Sequence, residues 1–216
     1  MIEIKNITKR YRKGRDEFIA LDDVSLSIGK GDYCSVNGAS GAGKSTLLYT
    51  IGGLIHPDSG SVLYNNENIY SQGTGYLDNY RRRKIGFMFQ QFHLMPWLTV
   101  YENIRLGCYE KEKVFLADLY LEKCSLLGQK NKYPSELSVG EKQRAAFIRA
   151  IISDPEVLLA DEPTGNLDPE NGRILMALIR EYHLKGGTVI LVSHDQAAGS
   201  SASLKLTLDK GRILGS

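Results

Sequence analysis

The chain has 216 residues, 42% hydrophobic and 24% charged, with a formal net charge of +2. That is enough chain for one large core, or for a core with a lobe grafted into it. The balance excludes a disordered chain and argues against nucleic acid as an obligatory partner. Three cysteines, Cys34, Cys108 and Cys124, with no C-x-x-C pair, argue against a disulfide framework and against a zinc site, and point to a reducing compartment. Residues 1–5 lack the apolar run of a signal peptide, and no stretch approaches the apolar length needed to cross a bilayer. The expectation is a chain that leaves any membrane spanning to another.

Ile2, Ile4 and Ile7 alternate with polar neighbours and predict a half-buried strand. Residues 9–16 are charged and polar and predict a hairpin loop. Residues 18–21 and 24–28 alternate again before the turn Gly29-Lys30-Gly31-Asp32, so two or three antiparallel strands precede residue 32. Residues 32–36 read as a buried strand and 47–51 as a helix. Beyond the breaker cluster at 56–60, residues 61–64 predict a short strand and 65–68 a turn. The run Arg81-Arg82-Arg83-Lys84 reads either as a solvated helix end or as a docking surface for an acidic protein face or lipid headgroups. Residues 85–89 predict a buried strand that ends at Gln90-Gln91. Helical spacing then takes over from 92 to about 152, over 100–108, 114–127 and 140–152. Residues 156–160 and 188–192 are continuous apolar strands separated by a helix over 171–183. A short helix over 195–201 and two closing strands around Asp209-Lys210-Gly211 complete the chain. Strands alternating with helices imply an α/β fold with a mostly parallel sheet, carrying an N-terminal antiparallel β subdomain and an inserted helical subdomain. The expected organisation is one domain over 1–216, with its core in 1–91 and 156–216 and the helical subdomain over about 92–155.

Gly38-Ala39-Ser40-Gly41-Ala42-Gly43-Lys44-Ser45-Thr46 fits G-x-x-x-x-G-K-[ST], set between a strand and a helix as a phosphate-binding loop requires. Its glycines let successive N–H groups turn inward on anionic oxygens. The following helix aims its positive end at the same place. Lys44 adds a full charge near the β- and γ-phosphates, and the Ser45 hydroxyl suits Mg2+. The apolar strand 157–160 runs into Asp161 and Glu162. Asp161 suits the Mg2+ shell, and Glu162 is placed to polarise the water that attacks the γ-phosphate; two acids at a strand end also read as a helix cap or a turn.

Kinases and GTPases share these parts; the order of the remaining motifs separates this chain from them. Over essentially its full length it resembles the ATP-binding subunit of ABC transporters. Tyr11 stands where that family places an aromatic that stacks on adenine. Gln90 matches the Q-loop glutamine, which touches Mg2+ and the attacking water, with Gln91 as a rival for the role. Leu137-Ser138-Val139-Gly140-Glu141 matches the signature stretch. Asp161 and Glu162 match the Walker B aspartate and the catalytic glutamate, Gly165-Asn166-Leu167-Asp168 matches the D-loop, and His194 the switch histidine. The resemblance implies ATP and Mg2+ as ligands, and two ATP molecules clamped head to tail between two subunits, each signature completing the other's site. It implies a homodimer or a pseudo-symmetric heterodimer and integral membrane permease-type partners. It also implies a cytoplasmic location, peripheral on the inner face of the cell membrane.

Two departures stand out. The family usually has glycine where this chain has Val139, and valine penalises positive φ and fills space near a phosphate; weaker closure is the expectation. Asn37 replaces a more usual apolar residue. The single cassette without a coiled coil points to a transporter subunit, and the pattern Ile85-Gly86-Phe87-Met88-Phe89-Gln90-Gln91-Phe92 followed by Leu98-Thr99-Val100-Tyr101-Glu102-Asn103-Ile104 resembles the branch of lipoprotein-releasing, macrolide-exporting, antimicrobial-peptide and cell-division ATPases. The resemblance to the family implies that residues 92–101, with Phe92, Leu94, Met95, Pro96 and Trp97, form the face that meets the membrane partner, although a core loop is the plainer reading of them. The alternative function is a regulatory ATPase that controls a membrane partner without transport, as in cell division. A small-molecule or nucleoside kinase on the same fold would need an acceptor site and a lid instead of the signature helix.

Overall fold

The computed structural model describes residues 1–14, 16–109, 113–193 and 201–214. The short helix expected over 195–201 and His194 fall outside them, apart from Ser201.

Two sheets organise the described residues. The smaller is antiparallel, in the order β2 (Asp16–Ile28), β1 (Ile2–Lys13), β4 (Ser59–Tyr64), β5 (Glu67–Asn68). The larger has the order β10 (Arg212–Ile213), β9 (Leu204–Asp209), β3 (Tyr33–Asn37), β8 (Thr188–Val192), β7 (Val157–Asp161), β6 (Ile85–Met88). All of its pairings are parallel except β10 with β9. β7 and β8 are buried along their whole length, which explains their unbroken apolar runs: both faces of the sheet are covered. On one face Cys34, Val36, Val157, Leu159, Ile190 and Val192 pack against the antiparallel sheet and α1 (Lys44–Ile51). On the other, Leu158, Ala160, Val189 and Leu191 pack against α3 (Val100–Leu106), α4 (Leu116–Lys123), α5 (Val139–Ile151) and α6 (Pro169–Leu184). Here α2 denotes Thr74–Arg83, whose last turn carries Arg81, Arg82 and Arg83.

Two expectations need correction, and one helix extends beyond the helix end that residues 81–84 suggest. Residues 9–13 are strand, not loop: Lys9, Arg10, Tyr11, Arg12 and Lys13 pair with Leu21, Ile19, Phe18, Glu17 and Asp16. This end of the ribbon is solvent-exposed, so its charged sequence carries no buried face for the alternation to reveal. The turn at 65–68 is tighter than expected. Asn65 and Asn66, at φ 50° and 69°, make the reversal, and Glu67 and Asn68 return as β5. Finally, α2 fills a stretch with too few apolar residues to show a helical stripe; its buried residue is Tyr80.

Close backbone contact joins α5 to β6 at Gly86, and the end of α3 to α5 at Gly107. A Cβ on Gly86 would lie 2.3 Å from the Ala150 carbonyl, and one on Gly107 would lie 2.1 Å from that of Arg149. The segment before α3 is held by one buried amide. Asn103 accepts from the Met95 N–H (2.7 Å) and donates to the carbonyls of Met95, Leu98 and Thr99 (3.1, 3.0 and 3.0 Å). A capping box between Thr99 and Glu102 opens the helix. With that support Trp97 stands 69% exposed, while Phe92, Leu94 and Met95 are half-buried. Replacing Asn103 by leucine keeps the bulk but removes the partner of the Met95 N–H and of the Leu98 carbonyl; the Met95 and Thr99 carbonyls still accept from the Leu98 and Asn103 N–H groups. A cost on the order of 2 kcal/mol is expected, read as a fall of roughly 4–8 °C in Tm by calorimetry; an unchanged Tm would refute the role given to Asn103.

Candidate active site

Parallel register brings the carboxyl ends of four strands to one edge. Val36 of β3 lies opposite Val192 of β8, Val192 opposite Asp161 of β7, and Ala160 opposite Met88 of β6. The loop 38–43 leaves β3 at this edge, Asp161 and Glu162 close β7, and Gln90 follows β6 by two residues. Ligands of open α/β sheets bind at this edge.

The loop glycines serve different ends. Gly43 has φ 104° and its missing Cβ would lie 2.1 Å from the Ala20 carbonyl; the missing Cβ of Gly38 would lie 2.2 Å from that of Leu208. Backbone of the two sheets therefore closes on the loop from outside, which no side chain at either position permits. The Lys44 ammonium is buried and donates to the carbonyls of Gly38 and Ala39 at 2.8 and 2.9 Å. An ammonium has three donors, so one remains for an incoming oxygen.

Ser45 Oγ donates to Asp161 Oδ1 at 3.0 Å. Asp161 is 1% exposed and its Oδ2 has no partner of hydrogen-bonding geometry. Burial lifts this carboxyl above the usual carboxylate range, and the hydroxyls of Tyr49 and Ser45 hold it down only in part. A buried carboxylate oxygen left over beside a serine hydroxyl is hard-oxygen chemistry that fits Mg2+, which takes one or two protein carboxylates and completes its shell with phosphate and water. Among the described residues no group of three or more His, Cys, Asp or Glu could hold a metal, so this site fits a cation that arrives with phosphates. Gln90 Nε2 reaches Glu162 Oε2 at 3.3 Å, and Asn166 Nδ2 reaches the Gln90 carbonyl at 3.4 Å. Glu162 itself is left-handed, at φ 44°, a costly conformation for a residue with a Cβ. Its N–H donates to the Val192 carbonyl (2.9 Å) and its carbonyl accepts from Gly165 (3.1 Å), so the backbone fixes the carboxylate at this edge.

A cavity of about 470 Å3, the size of a small-molecule site, joins these groups. Ser40, Gly41, Gly43, Lys44, Ser45 and Thr46 line it with Gln90 and Glu162, and Tyr11, Phe18 and Ala20 close its far side. Ala42 is buried in the loop, and Gly38 and Ala39 meet the cavity through Lys44. Phe18 escaped the sequence reading: it faces Tyr11 across the β1–β2 ribbon, a pairing that the expected loop at 9–16 concealed.

The signature stretch lies elsewhere. None of residues 137–141 lines the cavity. Ser138 caps α5 in a capping box with Glu141: its hydroxyl accepts from the Glu141 N–H, and its N–H donates to the Glu141 carboxylate at 2.7 Å. That contact holds the Glu141 carboxyl below its usual range. The amides of Val139 and Gly140 have no carbonyl within the helix to bond. Ser138 and Val139 are exposed, Leu137 and Gly140 buried. Val139 occupies the first helical position and is absent from the positive-φ residues, so the expected backbone penalty does not arise; its bulk, 44% exposed, stays at the surface. Asp168 caps α6 through the N–H groups of Glu170 and Asn171. Asn37 Oδ1 is buried without a partner, and nothing in the structure explains the choice of asparagine there.

A model of the ABC transporter family matches residues 21–165, leaving Tyr11, Asp168 and His194 outside the matched stretch. The chain is 37% identical, over 99% of its length, to the macrolide export ATP-binding/permease protein MacB of Chlorobaculum tepidum, but covers only 34% of that protein. It thus spans about a third of the length of the MacB relatives it matches. It is 39% identical to the uncharacterized ABC transporter ATP-binding protein MJ1508 of Methanocaldococcus jannaschii, covering 99% of this chain and 98% of that one. The ATP-binding cassette MJ0796, solved as a dimer in a post-hydrolysis state bound to ADP and Pi, superposes with a TM-score of 0.92 at 36% identity, over 100% of this chain and 97% of that one.

Asp161→Asn probes stability at this site. A raised folded pKa means that the carboxylate weakens the fold above that pKa and costs nothing once protonated. The variant is therefore expected to raise Tm at pH 7. The gain fades as pH falls through the folded pKa and vanishes below about 3.9, the unfolded value. A lower Tm at pH 7 would contradict the desolvation argument.

Proposed function

The chain belongs to the ABC transporter family, and from that premise we propose that it is the ATP-binding and ATP-hydrolysing subunit of a transporter complex, closing on ATP against a second cassette to move integral membrane permease-type subunits. The observation that carries the proposal is the division of the site. The phosphate loop, Gln90 and Glu162 line one cavity, with Asp161 hydrogen-bonded to Ser45, while the exposed start of α5, whose free N–H groups suit an anion, lies outside it.

The adenine stacks on Tyr11, beside Phe18. Loop amides and Lys44 hold the β- and γ-phosphates. Ser45 Oγ and Asp161 would hold Mg2+, with Gln90 nearby; bound there, it neutralises charge on the β- and γ-oxygens. Gln90 orients Glu162 through the 3.3 Å contact, and Glu162 takes the proton from the attacking water. The Ser138 hydroxyl and the Val139 and Gly140 amides of a second copy, or of a related cassette, complete the γ-phosphate shell, with Glu141 bracing that helix start. Asp168 lies at the same face. His194 completes the set by resemblance alone. Without the second cassette the γ-phosphate charge is under-stabilised and turnover is slow. ATP thus shifts a population between open and closed pairs, and hydrolysis reverses it.

In this reading residues 1–91 and 156–216 form the catalytic core, and about 92–155 the subdomain that presents Trp97 and its neighbours to the membrane partner. No helix among the described residues is long and apolar enough to cross a membrane. The chain works in the cytoplasm, peripheral on the inner face of the membrane, through partners that span it, and no nucleic acid enters the scheme.

Lys44→Ala should weaken ATP binding by at least about tenfold, or about 1.4 kcal/mol, in equilibrium titration. Glu162→Gln should slow hydrolysis roughly 10²–10⁴-fold and accumulate a dimer in excess ATP by light scattering. A Glu162→Gln variant that stayed monomeric at saturating ATP would sink the two-cassette mechanism.

A further inference from the structure

Asn171 lies one turn into α6, outside the phosphate cavity, yet every polar atom of its side chain is engaged with one of two functional segments. Its Nδ2 donates to Asp168 Oδ2 at 2.7 Å, and its Oδ1 accepts from Arg144 Nη1 at 2.7 Å. Its backbone N–H donates to Asp168 Oδ1 at 3.0 Å. Arg144 belongs to α5, the helix that begins at Ser138, and also donates through Nε to the Cys124 carbonyl at 3.0 Å. The amide of Asn171 presses on the first turn of that helix: a Cβ on Gly140 would lie 2.3 Å from Asn171 Oδ1 and 2.5 Å from its Cγ. Gly140 is helical and not among the positive-φ glycines, so it is the approach of Asn171, not the backbone angle, that demands glycine there. A second tether runs alongside, where buried Gln143 donates to the Pro163 carbonyl at 2.7 Å.

We propose that Asn171 is a positioning residue that locks the start of α5 and the Asp168 turn into one rigid surface. Resting on the two-cassette reading above, that surface is the one offered to the neighbouring cassette. The acceptor of the amide faces a cation and its donor faces a carboxylate, so the pairing has one favourable orientation. A start to α5 held in this way meets the neighbour's γ-phosphate without first being ordered, which lowers the entropy cost of closure.

The test is a double-mutant cycle in the Glu162→Gln parent with Mg2+ and ATP, reading the dimer dissociation constant by sedimentation. Asn171→Asp keeps an acceptor for Arg144 but sets a carboxylate against Asp168; Asp168→Asn supplies a donor opposite that new carboxylate. Asn171→Asp is expected to weaken the dimer at least tenfold with Asp168 present, and less than threefold in the Asp168→Asn background. Affinity of the monomer for ATP should change less than twofold. Equal losses in both backgrounds, no loss at all, or a parallel loss of monomer affinity would each overturn the role, and a fall in Tm alone would mark Asn171 as merely structural. Should Asn171→Asp not fold, Asn171→Ser drops the amide donor and is read in the same cycle. A parent that fails to dimerise refutes the two-cassette reading itself, and this inference with it; a parent that dimerises regardless of residue 171 refutes only this inference.

Discussion

Parallel pairing among β6, β7, β8 and β3 governs what can meet at the functional edge of this molecule. Side chains alternate along a strand, so a slip of one residue in β7 would turn Asp161 from the face that carries α1 to the face that carries the other helices. Its carboxylate would then leave Ser45 and enter an apolar layer. The register is protected by burial on both faces: Leu159 fits against the α1 side and Leu158 against the α5 and α6 side, and neither can exchange with its neighbour. The phosphate loop, the acids and Gln90 depend on that pairing for their meeting, and the Asp161 carboxylate is stranded from water by the same packing.

The two kinds of chemistry in the chain are kept apart by the same architecture. The phosphate loop, Gln90 and Glu162 line one cavity, while the helix start at Ser138 and Val139 is exposed outside it. A single chain cannot fold one onto the other while α5 is held against β6 by the close approach of Gly86 to the Ala150 carbonyl. Pairing two copies about a two-fold axis brings the halves together without any change of fold.

The α5 helix also links regions at its two ends. At its start Ser138 and Glu141 form the cap. Toward its other end Arg149 donates to the carbonyls of Phe92 and His93, at 2.7 and 2.6 Å. Those carbonyls belong to the segment just past Gln90, where Phe89 packs between the rings of Phe87 and His93. Asn103 stiffens the continuation toward Trp97. A thirteen-residue helix thus ties the segment that carries exposed Trp97 to the exposed helix start at Ser138 and Val139.

What was legible from sequence is the part governed by local chemistry. The phosphate loop needs its glycines and Lys44 in fixed order, buried parallel strands need unbroken apolar runs, and a helix needs a cap such as Ser138 or Asp168. Each leaves a pattern within ten residues or so. What escaped depends on partners far apart in the chain. The strand at residues 9–13 is exposed and charged, so only its pairing with β2 reveals it, and with it the place of Phe18. Gly140 is required by the approach of Asn171, thirty-one residues on, and Asp161 is perturbed by burial that no strand shows alone. Val139 invited a backbone explanation from its motif, and the helix geometry removes it. Local sequence determined which groups were available to bind a phosphate; the tertiary structure decided which of them share a cavity and which face away, because distance and desolvation are properties of the packed whole.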